Sequence, residues 1–181
     1  MLVQDSNRSR KTVAVAAIVC AVLQLALAPN FALASGHFNF CILFAGIVAT
    51  QVGGRTAIVC GFLGGLFYDL SATSPIGLMA FLLTVGSLLI SAGSGSSQSE
   101  DSRTAFMSYV FLALVAELVY GLMMLMLGQS ASFVDAIFLR ALPSFLLDLV
   151  AYAPYYFLSS RSQSGFGGHA PRGSHLSTRG L

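Results

Sequence analysis

Between Thr12 and Leu158 the chain is a succession of six apolar runs parted by short polar breaks. That alternation leaves few folds open, because a backbone in hydrocarbon has no water to satisfy its N–H and C=O groups and must pair them within the span. The runs cover about Thr12 to Ala28, Phe38 to Val52, Thr56 to Tyr68, Ile76 to Ala92, Thr104 to Leu127 and Ala136 to Leu158. Charged residues make up 9% of the chain and hydrophobic ones 56%, far from the roughly 25% charge of a soluble domain. The sequence therefore predicts an all-α, polytopic membrane bundle of about six transmembrane helices at the inner (plasma) membrane. The membrane domain spans residues 12–158, between a polar N-terminal segment (1–11) and a disordered basic tail (159–181).

The basic residues orient it. Arg8, Arg10 and Lys11, then Arg55, then Arg103, then Arg161, Arg172 and Arg179 fall in alternate connections, leaving Arg140 as the one basic residue within a span. An excess of Lys and Arg marks the cytoplasmic side, so both termini are expected there. The first run also fits the grammar of a signal sequence, with a basic start and small residues at Ala26 to Ala28; an uncleaved first helix is the simpler reading. The second and third runs are short for a core of about 30 Å. Pro143 and Pro154 interrupt the sixth, where each removes an N–H and frees a carbonyl.

The densest chemistry lies in Cys60-Gly61-Phe62-Leu63-Gly64-Gly65-Leu66-Phe67-Tyr68-Asp69 and the restart Pro75-Ile76-Gly77. Gly61, Gly65 and Asp69 are spaced by four and share a helix face. Small residues at that spacing let another backbone approach closely, the usual packing device in lipid. Gly61, Gly64, Gly65, Asp69 and Gly77 are thus expected to serve helix or partner packing, with Asp69 at an outer helix end within reach of a partner. Glu117, Arg140 and Asp148 are ionisable groups at membrane depth, where they must face the bundle interior or a cavity. Arg140, Ser144, Asp148 and Tyr152 recur every four residues as a polar seam, with Asp69, Asp135 and Glu117 as candidate partners for Arg140. Such residues form either a proton or solute path or interhelical glue, and their sparse distribution over three helices favours glue.

No nucleotide loop, nucleophile elbow, metal cluster or paired catalytic histidine is visible, so no catalytic residue, metal or cofactor is assigned and the chain is read as non-enzymatic. Cys20, Cys41 and Cys60 lie within apolar runs and read as small buried hydrophobes.

The central Gly-Phe-Leu-Gly-Gly-Leu-Phe-Tyr-Asp-Leu with its Pro-Ile-Gly restart, the late Arg140-Ala141-Leu142-Pro143, and Asp148 and Pro154 resemble the rod shape-determining protein MreD family over roughly Thr12 to Leu158. The resemblance implies a scaffold subunit of the bacterial cell-wall elongation machinery. Its implied partners are an MreC-like protein and, indirectly, actin-like MreB filaments and peptidoglycan synthases, with membrane lipid around it and no nucleic acid. It also implies a bundle similar to the substrate-binding S-components of energy-coupling-factor vitamin transporters. The alternative function is therefore a substrate-binding subunit of a small-molecule transporter, with an outward cavity near Glu117 and Asp148.

Overall fold

The computed structural model describes residues 2–33, 35–72, 75–93, 102–130 and 132–164. Six α-helices are present: α1 (Leu2–Ala26), α2 (Phe40–Gln51), α3 (Gly54–Ser71), α4 (Leu78–Gly93), α5 (Ser102–Met126) and α6 (Leu142–Ser164). A two-stranded hairpin, β1 (Ala32–Leu33) and β2 (Gly36–His37), joins α1 to α2, and a π-helical turn, Asp135–Ala141, leads into α6. The expected polar N-terminal segment is already the first turns of α1, and α6 continues past the expected boundary at Leu158. Residues 165–181, where the rest of the tail was expected, and 94–101 of the serine-rich loop lie outside the described residues.

The surface is apolar as well as the core. Large apolar side chains such as Val15, Ile18, Phe62, Phe81, Phe111, Leu146 and Val150 are exposed, while Gln24, Asn39, Asp69, Ser87, Glu117, Ser144 and Asp148 are buried. Two helical stretches, Arg103–Met126 and Asp135–Phe157, are long and apolar enough to cross a membrane.

The organising element is α2. Every residue from Phe40 to Ala49 is buried, a helix apolar all round and enclosed on all sides. Its 12 residues extend only about 18 Å, short of the hydrocarbon thickness of about 30 Å. The hairpin before it folds onto the bundle, with Gly36 buried against the start of α6. A Cβ at Gly36 would sit 2.7 Å from the Ser144 nitrogen and 2.8 Å from Pro143 Cβ, so the approach requires glycine. Pro143 cannot donate to the carbonyl four residues back, and the Ser35 N–H fills that place by donating to Leu139 O at 3.0 Å. The His37 N–H donates to Ser144 Oγ at 3.1 Å.

The return from α2 to α3 is equally tight. Gly53 and Gly54 have φ of 64° and 59°, a left-handed pair that other residues rarely adopt, so the chain reverses with no polar loop.

Candidate functional site

Three polar centres emerge, two of them built around helix N-termini and the third around a cavity. The first joins α3 to α4. Asp69 ends up inside the last turn of α3 and is 2% exposed, not at a solvated helix end. Its Oδ2 accepts from the Gly77 N–H at 2.9 Å and the Ala80 N–H at 3.1 Å, and its Oδ1 from the Met79 N–H at 3.1 Å. The first N–H groups of a helix have no intrahelical acceptors, and a carboxylate there also meets the positive end of the helix dipole. Gly77, with φ of 101°, turns the chain so that its own N–H joins the set. Asp69 is therefore a cap within the chain.

The glycines explain how α3 comes so close. A Cβ at Gly61 would lie 2.5 Å from Ser87 Oγ and 2.7 Å from Leu83 O, and one at Gly65 would press on Ala80 Cα and lie 2.5 Å from Met79 O. The face expected to make close contacts makes them with α4. Gly64 points to α2 instead, 3.0 Å from the Phe44 ring in the same construction.

The second centre is the buried N-terminus of α2. Asn39 caps it: its Oδ1 accepts from the Ile42 N–H at 3.3 Å, and its own N–H donates to Asp148 Oδ1 at 2.8 Å. Asn39 Nδ2 donates to Glu117 Oε1 at 3.3 Å, and the Phe40 N–H donates to Gln24 Oε1 at 2.9 Å. Side chains from α1, α5 and α6 thus converge on one helix end. Glu117 and Asp148, read as separate intramembrane acids, meet across Asn39 at the positive end of the α2 dipole. Tyr109 Oη donates to the Asp148 backbone carbonyl at 3.0 Å, and its ring stacks on Tyr152 with centroids 4.1 Å apart. The seam Ser144, Asp148 and Tyr152 faces inward along its length. The arrangement ties α1, α2, α5 and α6 together.

The third centre is a cavity of about 680 Å³ at the hairpin end of the bundle. Gln24, His37, Tyr68, Ser71, Tyr120 and Arg140 supply its polar lining. Glu117 and Asp148 are not among its lining residues; they bond to Asn39 at the N-terminus of α2. Arg140 pairs with none of the acids proposed for it. Its guanidinium lies 5.1 Å from the centre of the Tyr120 ring, with Nη2 donating to Tyr120 Oη at 3.5 Å. That placement is a cation–π contact, braced by the edge-on packing of Tyr68 against Tyr120 at 5.9 Å. Among the described residues no carboxylate lies at ion-pair distance from Arg140, whose charge reaches Glu117 only through space. No group of three His, Cys, Asp or Glu side chains that could hold a metal is found among the described residues.

A sequence model of the family described as rod shape-determining protein MreD matches residues 9–159. The chain belongs to the MreD family. The match takes in every residue of the three centres, so the MreD-family region and the helical bundle coincide. No curated protein and no solved structure gives a match, which leaves the likeness to transporter S-components resting on the sequence alone.

Asn39, Gln24, Tyr109 and Tyr120 belong to these centres, and sequence reasoning gave none of them a role. Asn39 had a usable signal, since an asparagine just before an apolar run is a favoured N-cap. Gln24 stood out as the only polar residue in its span, but nothing local says that it reaches α2. The two tyrosines carry no signal beyond composition.

Proposed function

We propose that this MreD-family chain is a non-enzymatic, integral-membrane scaffold subunit of the bacterial cell-wall elongation machinery, and that the hairpin-end cavity receives a segment of an MreC-like partner. The observation that carries the reading is Arg140: a half-buried guanidinium held in place by Tyr120 in a cavity wall, with Glu117 within electrostatic reach but no carboxylate at ion-pair distance among the described residues. A cation placed in that way is complementary to an acidic or carbonyl-rich segment from outside, and the positive-inside count puts the hairpin end on the outer face. The α2 caps and the glycine seam serve the site indirectly, by fixing the helices that form its walls. Peptidoglycan synthases and MreB-like filaments are then reached through the partner.

Arg140→Glu is expected to abolish co-purification with the MreC-like partner, since losing one member of a desolvated charge pair costs about 2–5 kcal/mol. Arg140→Lys should retain a reduced yield, because an ammonium keeps the charge without the planar fork. Normal accumulation of Arg140→Glu with wild-type partner yield would remove the cavity from the mechanism.

The volume of the same cavity also favours a second reading. At about 680 Å³ it falls within the range of roughly 300–1,000 Å³ typical of small-molecule pockets, which suits the binding subunit of a vitamin-type transporter. An adjacent coding sequence for an MreC-like protein supports the scaffold, and an adjacent pair of ATPases supports transport.

A further inference from the structure

A second groove, of about 580 Å³, runs along the opposite half of α1 between α2 and α6. Its polarity is graded. Lys11 and Thr12 stand at the end nearest the N-terminus, joined there by Tyr155 of α6, while Val15, Val19 and Leu23 continue the wall as apolar side chains. Pro154, a ring without an N–H donor, forms part of the α6 side. No acidic residue lines the groove, and Arg10 beside Lys11 is exposed.

Dimensions select the occupant. From Lys11 to Leu23 the helix rises about 18 Å, close to the roughly 15 Å that is half of the hydrocarbon core. An apolar wall of that length with a cation at one end matches an acyl chain below a charged headgroup. We propose that it is a binding site for an anionic phospholipid of the leaflet on the N-terminal side, with an acyl chain laid along α1 and the headgroup phosphate held by Lys11. The inference stands apart from the cavity and from any protein partner.

The test is native mass spectrometry of the full chain after reconstitution with equal amounts of phosphatidylglycerol and phosphatidylethanolamine. A basic side chain at the membrane surface favours an anionic lipid about five-fold, so the wild type and Lys11→Arg should retain phosphatidylglycerol about five-fold over the zwitterionic lipid. Lys11→Gln should bring the ratio close to one, and Val19→Phe, which narrows the groove, should lower retention of both lipids. Equal retention by the wild type, or an unchanged ratio in Lys11→Gln, overturns the proposal. So does a polypeptide bound in place of lipid. Lys11 is exposed, so its variants decide the question whether or not Val19→Phe folds.

Discussion

Replacing Asp69 with alanine should destabilise the bundle severely while touching no exposed surface. Its carboxylate accepts three backbone N–H groups at the start of α4, and the side chain is 2% exposed. Each buried donor left without a partner costs about 1–3 kcal/mol, so losing the acceptor of all three costs at least about 3 kcal/mol. That is a large fraction of a total stability of about 5–15 kcal/mol. For a chain of this size each kcal/mol moves the midpoint by about 2–4 °C, which places Asp69→Ala about 6–12 °C or more below the wild type. Asp69→Asn keeps one acceptor oxygen but turns an amide towards the same donors, and should fall between the two. Thermal unfolding of a detergent-solubilised fluorescent fusion, followed by size-exclusion chromatography, reads both. An Asp69→Ala midpoint within about 2 °C of the wild type would show that the α4 amides do not depend on this side chain, and the capping argument would fail.

Gly65→Leu forces a four-carbon side chain into backbone contact with α4 and should lower folded yield more than Gly64→Leu, whose neighbour is the Phe44 ring, because a side chain can shift where a carbonyl cannot. Comparable yields would contradict the geometry. Asn39→Leu leaves the Glu117 carboxylate without its amide donor and the Ile42 N–H without its side-chain acceptor; a loss of about 2–5 kcal/mol is expected, measured by the same melting assay. Tyr109→Phe removes one hydrogen bond and keeps the stack on Tyr152, so its cost should stay near 1 kcal/mol. A reporter fused after Leu158 should be active in the cytoplasm and one inserted near Ser130 outside, and opposite results at both sites would overturn the orientation.

The helical class and the approximate position of each helix were legible because apolar runs in lipid leave the backbone little choice. The glycine seam was legible as a close-contact face, since Gly61 and Gly65 recur at helical spacing. Its partner was not, because spacing says which face is bare and not which helix meets it. Asp69 read as an outer anchor for a related reason: a carboxylate at a helix end looks the same in sequence whether it faces water or caps the next helix. Glu117 and Asp148 were identified as buried acids, but their common partner lies 78 and 109 residues away, beyond any local pattern. Arg140 shows the limit most plainly. Expectation paired it with an acid, whereas the bundle sets it over an aromatic ring.

The capping of α2 has a consequence for how the chain is made. At 12 residues the helix is too short to be stable across the bilayer alone, and its first amides depend on side chains from three other helices. Gln24 leaves the ribosome before α2, Glu117 long after it, and Asp148 later still. When α2 emerges, two of the three helices whose side chains meet its N-terminus have yet to be made. The most deeply buried helix of the bundle therefore gains its full set of polar partners only once the last helix has been synthesised.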